Sequence, residues 1–193
     1  ETLEKLVGLD RAKALWQLGL EAVDTVCDLV SEFQIDCELK TGNLHVASKA
    51  KEQPWLIEEA EHLQKVYDYQ HIRYVDSSEL ADMTSGQGFH GGVLDEGSRH
   101  LHPLNYALGL AKAADTLGAE LYEGSRVLSY TEGHQVCVKT DSGTVKSKYL
   151  VLACNGYLEK LEPRTAGRIM PINNYMLATE PLPEALARRL IRD

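Results

Sequence analysis

The sequence predicts an α+β chain in which an α/β portion and a mixed-sheet portion share one polypeptide, and three observations carry that expectation. Residues 8–33 and 51–69 repeat apolar side chains at helical spacing. Residues 126–146 alternate in short runs separated by turn residues, the pattern of an antiparallel meander. The run Tyr149-Leu-Val-Leu-Ala153 is apolar without a break and then gives way to Cys154, Asn155 and Gly156. A run without alternation is buried on both faces, as in a helix-covered parallel sheet. Ligands bind at the carboxyl edge of such a sheet, and glycine there lets the backbone approach them closely. A buried strand followed by an ordinary turn would read the same way.

Composition narrows the classes. A chain of 193 residues with 44% hydrophobic and 25% charged residues has room for one domain or two small ones. A formal charge of −9, with no Lys/Arg cluster, excludes nucleic acid and anionic membrane as expected partners. The apolar runs are too short to span a bilayer and the first residues are no signal peptide. Cys27, Cys37, Cys137 and Cys154 form no C-x-x-C pair and the seven histidines are dispersed, so neither disulfides nor a metal site is expected, and the usage suits a reducing cytoplasm. The chain starts at Glu1 within helix-forming sequence and ends at Asp193 with no stop signal, so it reads as part of something longer.

In chain order, the stripe Leu9, Ala12, Leu15, Trp16, Leu20, Val23, Val26, Val30 and Phe33 predicts one long helix, with Asp10 as its start signal. Residues 37–48 alternate around Gly42-Asn43 and predict a hairpin or a kinked pair of strands, with His45 on the same side as Asn43 and Ala47. Residues 51–69 form a second helix with Pro54 in its first turn. Ser77–Met83 reads as a short capped helix.

Gly86-Gln-Gly-Phe-His-Gly91 satisfies G-x-G-x-x-G, but a nucleotide-binding loop must join a buried strand to a helix amino terminus. Here a polar helix precedes the glycines and a strand, residues 93–97, follows them. The expectation is a flexible connection.

His102-Pro103 marks a helix start and Gly118 its end. Residues 119–122 form a short strand, followed by the meander 126–130, 135–140 and 144–146 and the buried strand 149–153. Residues 171–180 form another strand, and Pro183 opens a last helix.

Candidate reactive groups mostly have plainer readings. A nucleophilic Cys154 would need a base or a positive field, and none is identifiable. His100 and His102 could form a base pair, yet a residue before a first-turn proline is usually a cap. Asp95 and Glu96 point to opposite faces of a strand, so they read as turn residues rather than paired carboxylates. No catalytic constellation results.

Four stretches in order resemble the glycine/D-amino-acid oxidase family of flavoproteins, and within it the gamma-glutamylputrescine branch. They are Phe33–Cys37 with Thr41–Ala47, Gly92–Asp95 with His100–Asn105, Leu150–Tyr157, and Met170–Pro171 through Ala178–Glu180. The resemblance implies a middle portion of a two-domain enzyme. Residues 1–99 would belong to the substrate domain, 100–160 to the FAD domain, and 161–193 to the substrate domain again. The pyrophosphate loop and the segment that closes over the flavin would lie outside.

Carried over to this sequence, the resemblance gives Val127 a main-chain contact to the adenine of FAD. It runs Ala153, Cys154, Asn155 and Gly156 beneath the pyrophosphate and ribose. Many relatives read Ala-Thr-Gly-Ala there, so Cys154 and Asn155 depart from the commoner pattern. Tyr175 would fall in the substrate domain without a catalytic role.

The implied activity oxidises gamma-glutamylputrescine or a related small-molecule amine to an aldehyde, releasing ammonia and hydrogen peroxide. In that chemistry a hydride leaves the carbon bearing the amine and the imine hydrolyses in water, so no protein nucleophile or metal is demanded. By itself the chain is expected to bind FAD little or not at all. Two alternatives stand beside this: a sarcosine- or D-amino-acid-type oxidase, whose carboxylate would call for Arg99, Arg126, Arg164 or Arg168, and a binding module without cofactor. Oligomeric state and the electron acceptor are left open by the residues.

Overall fold

In a computed structural model, which describes residues 2–191, the long helix expected over residues 8–33 is present, and a short helix precedes it. Gly8, at φ 82°, separates α1 (Thr2–Val7) from α2 (Leu9–Glu32). Glycine alone enters that backbone region without strain. Asp10 therefore sits in the first turn of α2 instead of capping it.

Contacts divide the chain into two units, residues 2–119 with 180–191, and residues 120–179. The first is built on an antiparallel sheet of order β1-β3-β2, where β1 is Lys40–Val46, β2 Ile72–Val75 and β3 Gly92–His100. Of the two forms expected around Gly42-Asn43, the hairpin is not formed and the chain continues extended through an irregularity. The whole of 40–46 is one strand along β3, and Gly42, at φ 98°, sits in a register irregularity between Thr41 and Asn43. Opposite it, β3 sets Glu96, Gly97 and Ser98 against this one residue, and Asp95 holds the bulge by accepting hydrogen bonds from the N–H groups of Gly97 (2.9 Å) and Ser98 (3.2 Å). Strand β2 was not legible as a strand in the sequence, being only four residues long.

Helix α3 (Gln53–Tyr67) carries proline in its first turn as expected and stops at Asp68, which adopts a left-handed φ of 55°. Its buried face closes the core: Leu56 and Ala60 meet Ala47, Tyr69, Ile72 and Val93, flanked by Trp16, Leu20, Leu63 and Tyr67. Asp76 caps α4 (Ser77–Met83) through the N–H groups of Ser78 and Glu79. The G-x-G-x-x-G stretch runs as a loop directly into β3, and Gly91 and His90 exchange backbone hydrogen bonds with Ala47. His102 caps α5 (Pro103–Thr116) by accepting from the Asn105 N–H.

The second unit holds the predicted meander, with β4 (Val127–Thr131), β5 (Val136–Thr140) and β6 (Thr144–Ser147) in that order, and the short helix α6 (Pro163–Ala166). Helix α7 (Glu184–Leu190) returns to the first unit.

Three expected strands are absent. Residues 119–122, 149–153 and 171–180 carry no strand structure, and their apolar side chains stand in solvent: Tyr149 is 85%, Val151 83% and Met176 98% exposed. A strand exists only by hydrogen bonding to a neighbour, and among the described residues none of the three finds one. The apolar pattern reports that these side chains favour burial, not what would bury them.

Candidate functional site: a groove beside strand β4

The second unit contains an open groove of about 840 Å³ along β4. One wall is Arg126 through Glu132, and the other is Cys154 with Tyr157 through Glu162. Strand β4 pairs only with β5, so its outer main-chain edge faces this space. The opposite wall exists because a single turn of 3₁₀-helix at Asn155–Tyr157 reverses the chain after Cys154, with Asn155 at a positive φ of 48°. Asparagine tolerates that region better than most residues. Leu158, 5% exposed, then anchors the segment, while Glu162 accepts a 2.6 Å hydrogen bond from the Tyr130 hydroxyl across the groove. Arg126 pairs with Glu159 at 2.6 Å, an exposed contact of small energetic weight.

Two of the sequence-predicted residues, Val127 and Cys154, line the groove from opposite sides. Ala153, Asn155 and Gly156 neighbour it in the chain and are exposed, and beyond its chain neighbours nothing lies within 4 Å of where a Gly156 Cβ would stand. The sequence reading missed Tyr130 and Glu162. A Tyr and a Glu 32 positions apart leave no local signal, and only the fold brings them together.

Charge is distributed unevenly. Glu132, Glu159 and Glu162 face Arg126 and Lys160, so the lining is slightly acidic. The Tyr130 hydroxyl, and after it the Arg164 N–H, hold the Glu162 carboxyl below its ordinary range. Such a lining suits a neutral base and the donating hydroxyls of a ribose better than a phosphate.

Other candidates have structural partners. Asp95 accepts from the Tyr69 hydroxyl at 2.5 Å and from Ser98 Oγ at 2.6 Å, so it is a network centre, not half of a carboxylate pair with Glu96. His100 contacts the Gly42 carbonyl at 3.2 Å. No group of side chains able to hold a metal ion occurs among the described residues, and none of their helices is long and apolar enough to cross a membrane.

The sequence profile of the DAO family, described as FAD dependent oxidoreductase, matches residues 4–193. This chain belongs to that FAD-dependent oxidoreductase family. Among curated relatives of the family member, a probable oxidoreductase OrdL of Haemophilus influenzae is 35% identical over 98% of the chain and 45% of its own length. A gamma-glutamylputrescine oxidoreductase of Escherichia coli is 33% identical over 99% of the chain and 45% of its own length. The crystal structure of glycine oxidase from Geobacillus kaustophilus shares the fold, with a TM-score of 0.63 at 22% identity over 83% of this chain and 42% of that one. The chain thus spans less than half the length of the curated relatives it matches.

FAD is the cofactor expected of this DAO-family chain. The residues present fit one end of it. The outer β4 edge at Val127 and the slightly acidic lining suit an adenosine group. For the pyrophosphate, the described residues offer no strand–glycine loop–helix unit, since Gly86–Gly91 leads into β3 instead.

Proposed function

We propose that the β4 groove takes the adenosine end of FAD in an oxidase of gamma-glutamylputrescine or a related amine, forming an aldehyde with release of ammonia and hydrogen peroxide. The observation that carries the cofactor half is the meeting of Val127 and Cys154 across one groove, within a chain of an FAD-dependent family. The amine half rests on the relative named gamma-glutamylputrescine oxidoreductase, which aligns with 99% of the chain. When bound, FAD would supply the two-electron oxidation, with dioxygen as the final acceptor that becomes hydrogen peroxide and water hydrolysing the imine to aldehyde and ammonia. The residues in hand bind and orient its adenosine: the Val127 main chain offers a donor and an acceptor to the base, and the Cys154–Gly156 turn limits solvent access from the other side.

A carboxylated substrate such as sarcosine or a D-amino acid receives less support from the arginines. Arg99 is occupied, its Nη1 donating to the carbonyls of Glu96, Gly97 and Ser98 at 2.9–3.1 Å. Arg126 is paired with Glu159. Arg164 and Arg168 are exposed.

The test is to express the protein from its complete reading frame and follow hydrogen peroxide and ammonia release with gamma-glutamylputrescine, putrescine, sarcosine and D-alanine. Turnover of gamma-glutamylputrescine at a kcat/KM well above the carboxylated amines is expected. The reverse preference would move the protein to the sarcosine-type reading, and a protein that copurifies without flavin and binds none would refute the cofactor assignment.

A further inference from the structure

The turn at Cys154–Gly156 has an asymmetric attachment. On its amino side, residues 149–153 make no backbone hydrogen bond among the described residues, and the nearest polar tether is Ser147 Oγ donating to the Tyr149 carbonyl at 2.8 Å. On its carboxyl side the chain is fastened within eight residues. The Tyr157 N–H closes the turn onto the Cys154 carbonyl at 2.9 Å, Leu158 is buried, and the Leu161 N–H returns to the Leu158 carbonyl at 3.2 Å. Glu162 then uses both oxygens: Oε2 accepts from the Tyr130 hydroxyl at 2.6 Å and Oε1 from the Arg164 N–H at 3.0 Å, which starts α6. Tyr130 lies on β4, three residues beyond Val127, and its partner across the sheet is the buried Val138.

A side chain on one wall of the groove therefore grips a helix cap on the other. Two polar contacts join the walls, the exposed Arg126–Glu159 pair and this half-buried hydrogen bond, and beside the buried Leu158 the half-buried one is the better shielded from water. An extended segment without its own tethers follows wherever its anchored end is held. A shift of about 1 Å in a binding wall is enough to degrade a bound geometry.

We infer that Tyr130 and Glu162 are positioning residues for the cofactor: their hydrogen bond fixes the width of the groove that receives the adenosine end of FAD. The inference rests on the cofactor reading proposed above. Neither side chain need touch FAD. Both are half-buried, so the bond is sheltered enough to hold one geometry, and Glu162 accepts it as a carboxylate, the stronger form of acceptor.

The experiment uses the protein from its complete reading frame, stripped of flavin, titrated with FAD and read by quenching of flavin fluorescence, with the apoprotein's unfolding midpoint recorded in parallel. Tyr130→Phe deletes one oxygen, and FAD Kd is expected to rise about fivefold, the size of effect of one sheltered hydrogen bond. Glu162→Ala is expected to do at least as much. Glu162→Gln keeps one acceptor oxygen and gains an NH2 that can donate to a hydroxyl, so a hydrogen bond with Tyr130 survives beside the Arg164 N–H contact, and Kd is expected to stay within about twofold of wild type.

A merely structural role would follow the unfolding midpoint. The positioning role follows the acceptor oxygen, so Glu162→Gln restores affinity that Glu162→Ala loses. Wild-type Kd in Tyr130→Phe, or equal losses in Glu162→Gln and Glu162→Ala, would overturn the inference while leaving the FAD assignment standing. A wild-type apoprotein that binds no FAD overturns both.

Discussion

Tyr69 offers the sharpest test of the first unit's architecture. Its ring is 7% exposed and packs edge-on against Trp16, with centroids 5.3 Å apart, and against His71 at 5.5 Å. Its hydroxyl donates to Asp95 Oδ1, which holds the bulge of β3. Tyr69→Phe removes that donor and keeps the ring. Asp95 would retain the N–H groups of Gly97 and Ser98 and the Ser98 hydroxyl, so the carboxylate is not orphaned. The loss is then one hydrogen bond to a charged acceptor, toward the lower end of its range, about 1.5–2 kcal/mol. Tyr69→Ala would add the loss of ring packing, for a total of about 3–5 kcal/mol.

The assay is urea unfolding followed by tryptophan fluorescence. Both tryptophans, Trp16 and Trp55, lie in the first unit, so the signal reports that unit alone. An unfolding free energy for Tyr69→Phe within about 0.3 kcal/mol of wild type would refute the reasoning, because it would mean that water replaces the hydroxyl at no cost.

Four more outcomes are expected. Burial, and then the bond to Asp95, push the Tyr69 phenol well above its ordinary range. A raised folded pKa stabilises fully below the unfolded value of about 10 and progressively less above it, so the stability gap between wild type and Tyr69→Phe should narrow from about pH 10 upward in pH-dependent urea titrations. Gly92→Ala would place a Cβ 2.7 Å from the His45 carbonyl oxygen on the neighbouring strand, for a loss of about 1–3 kcal/mol. Gly19→Ala, in open space on α2, should stabilise by about 0.5–1 kcal/mol in the same assay. Val151→Asp, at a site 83% exposed, should leave tryptophan-reported stability within about 0.5 kcal/mol while lowering the fluorescence of an apolar dye bound to the chain.

Local chemistry was legible in the sequence wherever a few adjacent residues decide the outcome. Pro54 in the first turn of α3, His102-Pro103 at the start of α5, Gly118 after its end and the turn residues between β4, β5 and β6 all sit where they were expected. The G-x-G-x-x-G stretch was separable from a nucleotide loop by its neighbours alone. Less legible was Gly42-Asn43, because a glycine at positive φ serves a turn and a strand irregularity equally well, and only pairing with β3 distinguishes them.

The family resemblance was also carried by sequence, since the matching stretches follow one another across nearly the whole chain. Tertiary structure decided the rest. It turned residues 149–153 from an expected strand into an exposed segment, because a strand needs a partner and periodicity names none. It also brought Val127 and Cys154 to facing walls of one groove and joined Tyr130 to Glu162 across it. Composition and spacing fix which residues favour burial or a turn. Only the folded chain fixes which distant side chains come within a hydrogen bond of each other.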